Sequence, residues 1–371
     1  KFSFMEQWKE YKLGDISNMK YGKLPPKQNN GSYPIWSGYR NVGFATTYNC
    51  RKGTIIVVAR GVGGTGDVKI SSEDCFLTNL SIAVELDNKI CEPLYFYYKY
   101  KLSNLRYLDT GSAQSQITID DLKRLSLKLP PLEEQKRITE ILSSIDYKIE
   151  LNRRINDNLE QQAQALFDHY FDSGSIYLED SIMGCLTDIA VYLNGLAMQK
   201  FPATDIERSL PVLKIKELGQ RKCDDCSDRC SDSIDADYII DNEDIIFSWS
   251  GTLMVDVWCG GKCGLNQHLF KVTPLKNYPR WFVYYWTNRH LKKFKLIAKD
   301  KAVTMGHIRR GDLENAEVAI PTNLNMLEIN ARINPLFQSI IDRRLEITKL
   351  ENIRDALLPK LMSGELTINE I

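Results

Sequence analysis

Two stretches of this chain carry a pattern that suits a long helix with a partner. Ile138, Leu142, Ile145, Ile149, Asn152, Asn156, Leu159, Ala163, Leu166 and Tyr170 follow one another at alternating spacings of four and three. Ile329, Ile333, Leu336, Ile340, Arg343, Ile347, Leu350, Arg354, Leu357 and Leu361 do the same. This is the a/d seam of a coiled coil, sustained for more than four heptads each time. At about 1.5 Å per residue each helix would be ~60 Å long. Matching stripes in one chain are expected to pack on each other. The polar positions Asn152, Asn156, Arg343 and Arg354 weaken such a seam but can fix its register. Glu133 and Glu134 after Pro130-Pro131 suit a helix start, and Ser363-Gly364 suits a stop.

The two helices belong to a larger repeat. At a shift of 191 residues Gln116-Ile117 meets His307-Ile308, Asp121-Leu122 meets Asp312-Leu313, and Pro130 meets Pro321. Farther upstream the shift is 190, pairing Ile55-Ile56-Val57 with Ile245-Ile246-Phe247 and Gly61 with Gly251. Near the start, Leu13-Gly-Asp15-Ile16 resembles Leu186-Thr-Asp188-Ile189. The chain therefore reads as two copies of one unit, a mixed domain followed by a helix. Residues 53–59, 80–86 and 244–249 are β-branched or aromatic runs bounded by Gly, Asn and Asp, and read as strands. Tyr95–Tyr100 and Trp281–Trp286 each follow a Pro and read as helices whose aromatic faces enter the core.

Signatures of catalysis are few. Gly61-Val-Gly63-Gly-Thr-Gly66 matches the dinucleotide fingerprint, but that motif needs a helix at its end, and Asp67-Val-Lys-Ile reads as another strand. A tight glycine turn is the better reading. Asn334-Pro-Leu-Phe337 is one residue from the base-holding loop of amino-methyltransferases, yet it lies inside the second heptad helix with no cofactor loop nearby. Cys223, Cys226 and Cys230, with Cys259 and Cys263 beyond, allow a zinc knuckle or reduced surface thiols. No H-E-x-x-H, G-x-S-x-G or P-loop motif is present, and four His offer no local acid–base signature. No catalytic or metal-ligating set is assigned.

Charge is more informative. Lys+Arg and Asp+Glu are 48 each, which at first argues against a nucleic-acid binder. By segment the balance is uneven. Residues 5–130 carry +5, helix 131–175 carries −4, and within the near-neutral second domain an acidic block of −8 at 224–244 faces a basic strip of +7 at 289–310. In each copy a basic helix leads to a Gly-polar loop, a combination that can neutralise phosphates and read base edges. The first copy offers Arg60, Gly61, Gly63, Lys101, Ser112, Gln114 and Gln116; the second offers Trp249, Ser250, Lys293, Lys301, Thr304, His307, Arg309 and Arg310. Such weak net charge predicts that the chain alone holds DNA loosely, with partners supplying positive surface.

Leu129-Pro-Pro-Leu-Glu-Glu-Gln-Lys-Arg-Ile138, preceded by Gln116-Ile117 and Asp121-Leu122, resembles the segment that closes each recognition domain in specificity subunits of type I restriction–modification systems. Leu166-Phe-Asp-His-Tyr-Phe171 and Leu357-Leu-Pro-Lys-Leu-Met-Ser-Gly-Glu-Leu366 resemble the ends of that family's two long helices. Ala319-Ile-Pro321-Thr-Asn-Leu departs from the pattern, lacking the second Pro and the Glu-Gln. The resemblance implies an α+β chain with an internal pseudo-twofold repeat. Two strand-rich recognition domains, 5–130 and 176–321, alternate with spacer helices 131–175 and 322–364 that form an antiparallel coiled coil. It implies no catalytic activity of its own and a bipartite double-stranded DNA target, one half-site per domain. Expected partners are two modification (methyltransferase) subunits and restriction (motor-nuclease) subunits, in which S-adenosylmethionine, ATP and Mg would reside. A cytoplasmic location is expected: no apolar run spans a membrane, Lys1–Met5 does not open a signal peptide, and nine Cys form no disulfide framework. The rival readings are a stand-alone DNA methyltransferase or nuclease, and a coiled-coil scaffold that binds protein.

Overall fold

The structure, a computed structural model, describes residues 8–25, 30–38, 40–61, 64–101, 103–109, 115–172, 175–178, 181–206, 208–275, 277–300 and 307–368. The first domain contains β1 (Lys9–Lys12), β2 (Ser17–Tyr21), β3 (Tyr33–Ser37), β4 (Arg40–Ala45), β5 (Ile55–Val58), β6 (Val68–Ile70), β7 (Phe76–Leu77) and β8 (Ser81–Leu86). Helices α1 (Pro93–Lys101) and α2 (Ile119–Lys123) and strand β9 (Ser126–Leu129) complete it, and α3 (Leu132–Phe171) follows. The second domain runs through β10 (Ile182–Cys185), α4 (Leu186–Ile189), β11 (Ala190–Asn194), β12 (Ser209–Leu213), α5 (Ile215–Gln220), β13 (Arg229–Ser231) and β14 (Ile239–Ile240). It continues with β15 (Ile245–Ser248), β16 (Met254–Val257), β17 (Cys263–Leu265), β18 (Leu269–Pro274), α6 (Arg280–Asp300), α7 (Arg310–Glu314) and β19 (Glu317–Ile320), before α8 (Asn323–Ser363). The runs read as strands and the two Pro-led aromatic runs read as helices take those forms. Asp67-Val-Lys-Ile after the glycine turn is β6, as its sequence predicts.

The two domains repeat one topology, except that the third sheet has three strands in the first domain, β4-β3-β7, and four in the second, β13-β12-β17-β14. β1 pairs with β9 and β10 with β19, both antiparallel. A four-stranded sheet is ordered β2-β8-β5-β6 in the first domain and β11-β18-β15-β16 in the second. Each domain also makes one parallel pairing, β3 with β7 and β12 with β17. The registers correspond: Met19 faces Val84, which faces Ile55, and Tyr192 faces Val272, which faces Ile245. Gly22 and Gly195 occupy matching positions where two backbones nearly touch. A Cβ on either would lie 2.2 Å from a carbonyl oxygen, of Thr78 or Asn266 respectively, so only glycine fits. The repeated Asp121 and Asp312 are helix caps: Asp121 accepts the N–H of Thr118 at 2.9 Å, and Asp312 that of Arg309 at 2.8 Å. Those Thr118 bonds hold the Asp121 carboxyl below the usual carboxylate range.

By its contacts the chain forms two compact units, Lys1–Tyr147 with Glu351–Ile371, and Lys148–Leu350. The boundaries fall inside the long helices, so each helix starts in one unit and ends in the other. In the first unit Ile55, Val57, Ile82 and Val84 of the sheet meet Tyr95 and Phe96 of α1, Ile138 and Leu142 of α3, and Leu358 and Leu361 of α8. In the second, Ile245 and Phe247 meet Trp281 and Phe282 of α6, Phe167 and Tyr170 of α3, and Ile329, Ile333 and Phe337 of α8. No helix among the described residues is long and apolar enough to cross a membrane.

The helices also pack on each other, and antiparallel. Within the second unit Asn152 donates to Glu346 at 2.8 Å and Asn156 to the Ile340 carbonyl at 3.4 Å; within the first, Arg354 donates to Asp146 at 2.8 Å. Arg343 donates to Asn152 at 3.3 Å. All four polar seam residues therefore bond across the helix pair. The apolar seam is shared, where the spacing alone predicts helix on helix throughout. Ile138, Leu142 and Leu361 enter the first domain's core, and Ile329 and Ile333 the second's, with Leu166 and Leu336 packed against its edge. Ile149 and Ile340 are buried, whereas Ile145, Leu159, Ile347, Leu350 and Leu357 are only half-buried. The aromatic-rich domain cores offer the helix ends more apolar surface than a second helix would.

The second unit has one deeply buried ionic node. Arg344, 8% exposed in its side chain, donates to Asp256 of β16 at 2.5 Å and to Glu160 of α3 at 2.7 Å, while Arg221 holds the other Asp256 oxygen at 2.7 Å. Arg344→Ala leaves Asp256 with Arg221 as its remaining cationic partner among the described residues, frees Glu160, and is expected to cost about 2 kcal/mol in urea unfolding. A loss below about 1 kcal/mol would show that the node does not hold the helix pair to the domain.

Candidate nucleic-acid interface

In each domain the central strand ends beside a second loop, and the backbone fixes their meeting. In the first domain Ala59 and Arg60 both donate N–H to Leu80 O, at 2.8 and 3.1 Å, and Ile117 N–H returns to Ala59 O at 2.9 Å. Arg60 and Gln116 thereby sit directly opposite each other in an antiparallel bridge. In the second domain Trp249 N–H reaches His268 O at 3.4 Å and Ile308 N–H reaches Trp249 O at 3.0 Å, placing Ser250 opposite His307. The pairs Arg60–Gln116 and Ser250–His307 occupy the same place in the repeat. Two residues distant in sequence are thus brought side by side twice, and both pairs were predicted as binding residues.

What surrounds the pairs differs. Arg60 and Gly61 are exposed; Gly61 has φ +145°, a conformation that suits glycine as the chain leaves the strand. Asp109 accepts the Gln116 N–H at 2.9 Å and also the Ser115 hydroxyl, so one carboxylate clamps the end of the polar loop. Tyr21 accepts the Ile119 N–H at its hydroxyl, 3.2 Å away, and stands 40% exposed near the same edge. In the second domain the Ser250 hydroxyl meets His268 Nδ1 at 3.0 Å, the Trp249 indole N–H donates to Asn194 Oδ1 at 2.9 Å, and the His307 ring stands edge-on to Trp249 at 6.2 Å between centroids. Asp109, Tyr21, Asn194 and His268 have no sequence signal of their own; their strands and loops bring them in.

The basic residues divide into two groups. Lys292, Lys293, Lys295 and Lys299 of α6 are exposed, as are Arg309 and Arg310; Arg310 makes only a loose pair with Glu314 at 3.6 Å. Arg289, at the head of the strip, is instead tied to Asp168 of α3 and to Asp172 just after it, and lies over the Phe167 and Trp286 rings. Lys101 is engaged by a long helix. Its ammonium is 2.8 Å from Asp146 of α3 and sits over the Tyr97 and Tyr98 rings, so it braces the helix. Gly63, Ser112, Gln114, Lys301 and Thr304 lie outside the described residues. Part of the acidic block is neutralised at home: Asp228 by Lys214, Asp244 by Lys271 and Glu243 by Arg280.

The cysteines are free thiols. Cys223 packs half-buried against Cys263, Cys226 is exposed, and Cys230 is buried beside Met198 and Val212 with its sulfur against Gly264. Among the described residues no three His, Cys, Asp or Glu side chains group as a metal site.

The chain is built twice from one domain, each copy carrying the same loop pair, with two long helices that contribute to both. The comparisons agree. A family model for the type I restriction modification DNA specificity domain matches twice, over residues 5–161 and 183–354. The MjaIX type I restriction enzyme specificity subunit of Methanocaldococcus jannaschii is 26% identical over 395 residues, covering 98% of this chain and 89% of that protein. The HindI specificity subunit of Haemophilus influenzae is 52% identical over 56 residues, 15% of this chain and 12% of its own. The solved type I restriction–modification S subunit from M. genitalium shares the fold with a TM-score of 0.66 at 18% identity, covering 95% of this chain and 96% of that one. The chain belongs to the type I restriction–modification specificity subunits.

The Asp109 clamp is open to test. In Asp109→Ala the Gln116 amide is expected to exchange its hydrogen about tenfold faster. The Ile117 amide, bonded to Ala59, should keep its protection. Equal exchange at Gln116 in both proteins would show that another contact orders the loop.

Proposed function

We propose that the two loop pairs are the reading heads of a bipartite DNA-specificity subunit, one per half-site. The observation that carries this is the recurrence of a bridged pair at the same point of both domains, with different side chains each time. Arg60 and Gln116 suit bidentate contacts, arginine to guanine and glutamine to adenine. Ser250 and His307, with His268 behind them, offer single donors and acceptors and suit different bases. Lys292, Lys293, Lys295, Lys299, Arg309 and Arg310 would meet phosphates and set position rather than sequence. A pair of readers with unlike chemistry would give an asymmetric target.

In this reading the chain carries no catalytic step. It works in the cytoplasm and docks two modification subunits and restriction subunits. Those partners would bring S-adenosylmethionine, ATP and Mg and carry out methylation and cleavage. The near-zero net charge supports a division of labour in which the partners add much of the phosphate-binding surface.

The test is DNA binding by the complex as a function of salt. Arg309→Ala is expected to weaken binding to all sequences alike and to lower the slope of log affinity against log salt by about one contact. Gln116→Ala should leave the slope alone and relax discrimination at one position of one half-site, by roughly 1–3 kcal/mol. Unchanged affinity and slope in the first variant, with unchanged discrimination in the second, would refute the assignment.

A further inference from the structure

Beside the second reading pair lies a cleft of about 690 Å³ that the reading of half-sites does not use. Its walls include Tyr192 and Asn194 on the edge strand β11, Phe270 on β18, Trp249 after β15, and Ile308 and Arg310 next to His307. The rings are fixed in place. Trp249 and Phe270 pack at 5.7 Å between centroids, Tyr192 meets Phe270 edge-on at 6.1 Å, and the Tyr192 hydroxyl shares a 2.8 Å hydrogen bond with Thr287. Arg310 stands at the side with its side chain 86% exposed.

The fold itself does not require this aromatic lining, because the first domain builds the same frame without it. The strand registers put Met19 where the second domain has Tyr192, and Ile82 where it has Phe270. The matching bonds to Leu80 and His268 put Ala59 in the place of Trp249. Ile119, the first residue of α2, stands where Arg310 opens α7. Three aliphatic positions have become aromatic and one has become a guanidinium, all around one cleft. Aromatic faces, an amide and a cation are the chemistry that holds a planar heterocycle with a phosphate attached. The volume is within the usual size of ligand clefts, roughly 300–1,000 Å³.

We propose that this cleft takes a single nucleobase turned out of the DNA stack beside the second half-site, with the adjoining phosphate near Arg310. The proposal rests on the DNA-reading assignment above. The base packs among Trp249, Phe270 and Tyr192, and no covalent chemistry is involved. The first domain has Ala59, Met19 and Ile82 at the three aromatic positions, so the distortion is assigned to the second half-site.

The experiment compares two labelled duplexes with the full chain at low salt. One is fully paired; the other has the same sequence with a single bulged 2-aminopurine. The bulged duplex is expected to bind about tenfold tighter, the scale of one base–aromatic stack, and its 2-aminopurine fluorescence to fall on binding. Val191→Trp, which fills the cleft from an exposed strand position, should abolish the preference while leaving paired-duplex affinity unchanged. Trp249→Leu should also abolish the preference, and Val191→Trp serves if that variant folds poorly. Equal affinity for the two duplexes, or a preference that survives Val191→Trp, overturns the cleft and leaves the reading heads standing. Binding to neither duplex overturns both.

Discussion

Neither recognition domain closes its core with its own strands. Ile138 and Leu142 of one long helix and Leu358 and Leu361 of the other complete the first, while Phe167, Tyr170, Ile329 and Ile333 complete the second. Removing the helix segments would expose aromatic rings such as Tyr95, Phe96, Trp281 and Phe282 that are now buried, at roughly 1.5–3 kcal/mol for each large side chain uncovered. Helix register is therefore a condition of domain folding. Bonds from Asn152, Asn156, Arg343 and Arg354 set that register, because sliding the helices by one turn would strand each of them against an apolar neighbour. The Arg344 node adds a charged contact between β16 and both helices that packing alone would not specify.

Duplication has kept the backbone and released the side chains. The features repeated without change are those the chain must satisfy to fold: the close approach at Gly22 and Gly195, the aspartate caps at Asp121 and Asp312, and the hydrogen bonds that fasten the second loop to the central strand. The features that differ cluster at the end of that strand and beside it. Arg60 becomes Ser250, Gln116 becomes His307, Ala59 becomes Trp249 and Tyr21 becomes Asn194. A frame held constant by backbone bonding lets the side chains at that strand end differ between the two copies.

Much of this was legible in the sequence, and the failures have physical causes. The heptad stripes predicted helices at 131–175 and 322–364, and the structure has them at Leu132–Phe171 and Asn323–Ser363. A period of four and three shows which face is apolar, however, and not what covers it. It could not tell that Ile138 and Leu361 meet a domain while Ile149 and Ile340 sit in the middle of the helix pair. The strand after the glycine turn was readable because Asp67-Val-Lys-Ile lacks any helix start. Lys101 and Arg289 looked like free cations because their partners, Asp146, Asp168 and Asp172, are far off in sequence. His268 and Asn194 were invisible for the same reason: only strand pairing carries them to Ser250 and Trp249.

The central claim is that each domain reads its half of the target independently. The most direct measurement is the map of methylated sites made by the assembled system after residues 5–130 are exchanged for another first domain. The account predicts a new sequence in one half-site with the other half-site retained unchanged. A target altered in both halves, or in neither, would contradict it.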